Sequence, residues 1–235
     1  LELLRTPTFA RADVLIVTDG LCRASARVAH EVAEAKRSAQ ARVLGVVIGL
    51  ETAGLEDFAD ELWRIEERTS HSGGTRPVVG HGLVYFPSGW SQGQTLAVKP
   101  GAKGEVVDAN AEALAGSKLQ IAWRSKKGTP KKPALTLVDD LLYGVEDGGV
   151  ATCWDAKTGA VVWNERIGGN YSASPLAAEG RLYCFSEEGK TVVLALGRTF
   201  QKLAENSLGD GFMASPAVSG KALYLRSKTH LYRVE

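Results

Sequence analysis

The chain has 235 residues, 44% of them hydrophobic, which suffices for one large domain or two small ones with a packed core. Its 28 Lys and Arg against 27 Asp and Glu leave a formal net charge of +1, so no global field draws it to nucleic acid or to an anionic membrane. The three cysteines, Cys22, Cys153 and Cys184, are odd in number and lack C-x-x-C spacing, which argues against a disulfide framework or a zinc site and for buried thiols. Cys153 and Cys184 fall in neighbouring repeats and pair only in an oxidising compartment with their Cα atoms within about 7 Å.

No stretch reaches the roughly 18 apolar residues of a membrane span, and no basic start leads into an apolar run. The sequence as it stands therefore reads as cytoplasmic. Leu1 in place of a methionine points to a fragment or a processed product.

In chain order, Asp13 to Thr18 reads as a buried strand and Ala24 to Gln40 as a helix with Val28, Val32 and Ala35 near helical spacing. Arg42 to Gly49 reads as a second buried strand. Leu55 to Ile65 reads as a short amphipathic helix carrying Leu55, Phe58, Ala59 and Leu62 on one face. This β-α-β-α order implies a parallel sheet covered by helices, although two strands are too few for a self-sufficient sheet. Glu66 to Gly74 is polar and glycine-bearing, as a linker is. The expected domains are 1–66, an α/β segment; 67–74, a linker; and 75–235, a repeat region.

In that region four segments align: Arg76-Pro77 before Leu83 to Phe86, Lys132-Pro133 before Leu141 to Tyr143, Ser174-Pro175 before Leu182 to Phe185, and Ser215-Pro216 before Leu223 to Leu225. The prolines are spaced by 56, 42 and 41 residues, and the first excess fits a loop inserted around Ala102 to Lys118. A period of about 40 to 45 residues is that of one four-stranded propeller blade. Turns at Val79 to Gly82, Val138 to Asp140, Glu179-Gly180 and Ser219-Gly220 separate strand-like runs as hairpin loops do. The expected fold class is mainly β: a partial β-propeller of about four blades preceded by a small β-α-β-α segment.

Trp154-Asp155-Ala156-Lys157-Thr158-Gly159-Ala160-Val161-Val162-Trp163 resembles the signature of the pyrroloquinoline-quinone (PQQ) type propeller repeat, a D-x-x-T-G turn followed by a strand ending in tryptophan. Asp155 suits a cap for the turn, Gly159 a positive φ, and Trp163 an apolar wedge between blades. Ile121-Ala122-Trp123-Arg124 is similar to the same strand one blade earlier. The resemblance covers about residues 71 to 235. It implies either a cofactor-free scaffold, similar to the lipoprotein of the outer-membrane β-barrel assembly machinery, or a quinoprotein dehydrogenase holding PQQ and calcium. The adjacent Cys-Cys pair of the dehydrogenases is absent here and their calcium ligands do not map onto this chain. The expectation is a non-catalytic scaffold with a protein partner and no cofactor, with a PQQ- and calcium-dependent oxidoreductase as the alternative. Such propellers are often exported or periplasmic.

The N-terminal segment resembles the second half of a von Willebrand factor A domain, through Thr18-Asp19-Gly20 and the strand Val43 to Gly49. That resemblance implies a magnesium ligand at Asp19 and a metal-dependent adhesion module, but hard cations want several oxygens and the family's D-x-S-x-S is missing. A helix cap is the plainer role for Asp19.

Other chemistry is sparse. His30, His71, His81 and His230 show no H-E-x-x-H spacing, no G-x-S-x-G elbow exists, and Ser174 and Ser215 before the repeat prolines read as structural. The candidate partner-binding residues are Trp90, in the glycine-rich Gly89 to Gln94, and Lys126, Lys127, Lys131 and Lys132, in a basic run without interleaved aromatics. Four blades sit at the lower limit for a closed ring, so open edges that promote self-association are expected.

Overall fold

The computed structural model describes residues 14–18, 26–39, 43–48, 61–66, 75–88, 93–99, 106–108 and 121–235. The chain begins with β1 (Val14–Thr18), α1 (Ala26–Ala39), β2 (Val43–Ile48) and β3 (Glu61–Glu66). It continues with β4 (Val78–Gly80), β5 (Leu83–Ser88), β6 (Gln94–Val98), β7 (Val106–Asp108) and β8 (Ile121–Ser125). Two compact units result, Leu1–Arg68 with Lys99–Gln120, and Thr69–Val98 with Ile121–Glu235.

The first unit holds a parallel sheet in the order β1-β2-β3-β7. The aliphatic runs of β1 and β2 pair with Val14 opposite Val43, α1 lying between them in sequence. The expected helix over Leu55 to Ile65 is corrected: Glu61–Glu66 is strand β3, with Leu44 opposite Glu61 and Ile48 opposite Ile65. Two parallel strands leave β2 with unpaired backbone groups, and Trp63 and Ile65 are types that favour an extended chain, so pairing overrides the helical spacing. Residues 55–60 of that expected helix lie outside the described residues. The fourth strand, β7, comes from the segment expected to be only a loop and pairs with β3, Arg64 opposite Val106. The stretch inserted into the first repeat thus completes the sheet of the other unit.

The second unit consists of antiparallel meanders, hereafter blades. Blade 1 is β4-β5-β6-β8; blade 2 is β9 (Thr136–Val138), β10 (Leu141–Val145), β11 (Val150–Asp155) and β12 (Val161–Arg166). Blade 3 is β13 (Leu176–Ala178), β14 (Arg181–Phe185), β15 (Lys190–Ala195) and β16 (Lys202–Ser207). Blade 4 has three strands, β17 (Ala217–Ser219), β18 (Ala222–Arg226) and β19 (Leu231–Val234). The described residues are mainly β, as a partial propeller requires. Blades 1 to 3 share a register irregularity between third and fourth strands, at Ala97/Val98, Cys153/Trp154 and Val193/Leu194. A bulge recurring at one place in three repeats is a feature of the repeat.

Two-residue loops join first and second strands at His81-Gly82, Asp139-Asp140, Glu179-Gly180 and Gly220-Lys221, the last one residue later than Ser219-Gly220. Both central residues have positive φ at His81-Gly82 (53° and 70°) and Glu179-Gly180 (49° and 73°), the hairpin geometry that matches strand twist. Counted from these turns, Pro77, Leu135, Pro175 and Pro216 are equivalent. Ala134-Leu135, rather than Lys132-Pro133, therefore takes the place of Ser174-Pro175. The backbone agrees: Ala134 N donates to Ser174 Oγ at 3.0 Å, and Ser174 N to Ser215 Oγ at 3.0 Å. Both serines are structural ties between successive blades.

The core lies between blades. Leu83, Tyr85, Ala97 and Trp123 meet Leu135, Leu142, Trp154 and Ala156. Tyr143, Cys153 and Trp163 meet Tyr171, Leu182, Cys184, Val192 and Leu194, and Ala173 and Phe185 meet Phe212 and Leu225.

Candidate functional site

Antiparallel strand order places two sets of connections at opposite ends of each blade. The end holding the first-to-second and third-to-fourth turns is devoted to joining blades. Asp155 Oδ1 accepts from Thr158 N (3.2 Å) and Thr158 Oγ1 (3.0 Å), and Gly159, at φ 74°, donates its N–H to Asp155 O at 2.8 Å. A Cβ on Gly159 would stand 2.5 Å from Trp123 Cδ2, so the turn needs glycine for conformation and for space. Trp123 Nε1 donates to Ala156 O (2.7 Å), and Trp163 Nε1 repeats the bond one blade on, to Gly197 O (3.0 Å). Trp163 also packs against Tyr143, tilted, and Phe200, edge-on, with centroids at 5.9 and 5.4 Å. The cap, the glycine and the tryptophan wedge occupy the places expected of them.

Charge reinforces this end. Arg198 Nη2 reaches Asp155 Oδ2 at 2.7 Å and holds that carboxyl below its ordinary value, and Lys157 Nζ does the same to Asp140 at 2.9 Å. His81 Nε2 sits 2.8 Å from Asp139 O in the neighbouring blade's turn. Behind them, burial pushes the thiols of Cys153 and Cys184 up to about 12, so these free, buried cysteines are poor nucleophiles. Cys22 lies outside the described residues.

The opposite end gathers the second-to-third turns and the connections between blades. Asp147 Oδ1 accepts from Lys131 N (2.9 Å) and Lys132 N (3.1 Å), folding the lysine-rich connection onto its own blade. Lys132 Nζ lies 3.0 Å from Glu187 Oε1 and 3.7 Å from Asp147 Oδ2, tying blade 2 to blade 3. Burial opposes the Lys132 charge, but Glu187 and then Asp147 outweigh it and raise the ammonium above its ordinary value. Ser172 Oγ donates to Glu187 Oε1 at 2.5 Å, and this bond, ahead of Lys132, holds the Glu187 carboxyl low. In the connection from blade 3 to blade 4, Asp210 accepts from Thr229 Oγ1 (2.6 Å) and Ser227 Oγ (2.7 Å), which bring its carboxyl to about 2.

Of the candidate partner-binding residues, Lys126, Lys127, Lys131 and Lys132 share this one connection, with Lys126 and Lys127 exposed and Lys132 bound by carboxylates. Trp90 falls between β5 and β6 in sequence, the second-to-third connection of blade 1, and lies outside the described residues, as does Asp19. Sequence reading passed over Asp147 and Glu187. Their signal is an acidic residue one or two places before glycine in successive second-to-third turns, Asp147-Gly148 and Glu187-Glu188-Gly189. Among the described residues no group of three or more His, Cys, Asp or Glu is placed to hold a metal, and no helix is long and apolar enough to cross a membrane.

The repeat geometry has a counterpart in known proteins. A PQQ-repeat family model, described as outer membrane protein assembly factor BamB, matches residues 102–199, which include all of blade 2 and the tryptophan strand before it. Over those residues the repeats are similar to the PQQ type. Among solved structures similar to this chain is BamB from Moraxella catarrhalis, 15% identical, covering 67% of this chain and 42% of its own, with a TM-score of 0.48. A europium-containing methanol dehydrogenase is 15% identical over 59% of this chain and 26% of its own, with a TM-score of 0.42. The computationally designed Ika8 protein is 12% identical over 72% of this chain and 48% of its own, with a TM-score of 0.50, a likeness of fold alone. The chain spans about two fifths of the BamB it matches. No curated protein matches it, and none of these findings supports the von Willebrand resemblance of the first unit.

Proposed function

We propose that the PQQ-like blades act as a non-catalytic scaffold that binds a protein partner at the end carrying the lysine connection. The observation behind this reading is how that connection is held. Asp147 and Glu187 fix Lys131 and Lys132 to the blades, while Lys126 and Lys127 stay exposed on a connection whose backbone is anchored. A preorganised basic loop on a rigid strand framework suits recognition of an acidic protein surface, because little ordering remains to oppose binding. The matched family's description as an assembly factor agrees with a protein partner.

The test places a photo-crosslinking residue at Lys126, at Lys127, or at Glu179 in a turn at the opposite end, in chain produced in its source cells. Protein adducts are expected from the two lysine positions and not from Glu179. Adducts from Glu179 alone would reject the lysine end as the binding surface.

A further inference from the structure

Two blades meet beneath the lysine connection. That connection rests on blade 2 at Gly128 (φ 68°), where a Cβ would overlap Thr152 Oγ1 and stand 3.0 Å from Asn164 Nδ2. Asn164 lies on β12, and its amide donates to Thr152 Oγ1 at 2.7 Å. Arg166 follows two places on, on the same face of the strand and roughly 7 Å nearer the lysine end. Its Nη1 donates to Gly148 O at 3.3 Å. Gly148 belongs to the turn whose Asp147 takes the backbone N–H groups of Lys131 and Lys132. One turn of blade 2 therefore fixes both the lysine connection and the Arg166 side chain.

Charge at this end divides unevenly. Asp147, Glu187, Glu188 and Asp210 turn their carboxylates onto backbone, hydroxyl and ammonium donors of the connections and turns. Exposed Lys126, Lys127 and Arg166 form no ion pair within the described residues. Arg166 gives one N–H to Gly148 O, which orients its planar fork and leaves other N–H groups for two parallel bonds to a carboxylate. Exposed Glu165 precedes Arg166 and half-buried Glu146 opens the turn, so the cations make a short cluster rather than a track for a phosphate backbone.

We propose that Arg166 is the specificity-determining contact of the lysine end, gripping one carboxylate of an acidic segment of the protein partner while Lys126 and Lys127 attract the neighbouring acids. This role rests on the lysine-end reading above and adds a residue from the adjoining blade.

The test uses the full chain in its source cells with the photo-crosslinking residue at Lys126. Arg166 is unaltered, Arg166→Lys or Arg166→Glu, and Lys221→Glu, in a turn at the opposite end, is the control. The protein adduct is expected to fall at least about tenfold in Arg166→Glu and about threefold in Arg166→Lys, which keeps the charge and loses the fork, and to hold in Lys221→Glu. Mass spectrometry should place the link within a few residues of Asp or Glu in the partner. An adduct undiminished by Arg166→Glu would overturn the role of Arg166 and leave the lysine-end reading standing, whereas no adduct from the unaltered chain would overturn both. A link to a segment without acidic residues, or an adduct removed by nuclease, would overturn the assignment of the partner. Thermal midpoints of the purified variants are expected to match that of the unaltered chain; a loss of adduct matched by a fall in midpoint would make Arg166 a structural residue and overturn its role in binding.

Discussion

Trp163 shows how one residue serves several ends. Its ring fills the space between blades 2 and 3, and its Nε1–H satisfies the half-buried carbonyl of Gly197. Trp163→Phe keeps the apolar wedge and removes that hydrogen bond, so urea denaturation should show a loss of about 0.5–1.5 kcal/mol. Trp163→Ala also opens a cavity and should cost about 3–5 kcal/mol. The carboxylates predict the acid response. Glu187, Asp155 and Asp210 titrate below their ordinary values in the folded chain, because Ser172, Arg198 and Thr229 respectively favour the charged form. Since the folded values lie below the unfolded ones, this stabilisation is fully present above the ordinary carboxylate range and is lost as pH falls through the folded values. The thermal midpoint should therefore hold from neutrality to about pH 5 and fall steadily toward about pH 2. A midpoint flat across that acid range would show that these bonds contribute nothing.

Among the elements, the hairpin turns carry the most local strain. Glu179 holds φ 49° in the β13–β14 turn, a conformation that asparagine adopts more easily than glutamate. Glu179→Asn should stabilise the chain by about 0.5–1 kcal/mol in the same denaturation assay. Such turns were legible in the sequence, as were the Leu-Tyr strands and the D-x-x-T-G turn, because each depends on neighbours a few residues away. Strand β3 was not legible. Its residues satisfy a helical spacing, and only pairing with β2, outside any local window, decides otherwise. Nor was β7, three residues within a Gly- and Ala-rich stretch that pair with a strand some 40 positions earlier. The two-residue slip at Lys132-Pro133 has a similar origin, since proline marks the entry to a blade without fixing which residue faces the next one.

For the whole molecule, the insertion in blade 1 is the informative feature. Blades 2 and 3 join their third and fourth strands by short turns, whereas between those strands of blade 1 the sequence carries β7, a strand of the parallel sheet of the other unit. The two units are therefore interleaved in sequence, the chain passing between them at 68/69, 98/99 and 120/121. At the lysine end, the basic run was visible in the sequence. Its division into exposed Lys126 and Lys127 and carboxylate-bound Lys132 was not, because Asp147 and Glu187 belong to turns 15 and 55 residues further on. The central claim is that the blades recognise a protein without a quinone. Calorimetric titration of the purified chain with PQQ in the presence of calcium tests it most directly. The scaffold reading predicts no saturable heat; saturable binding at micromolar or tighter affinity would contradict it and point to a quinoprotein oxidoreductase instead.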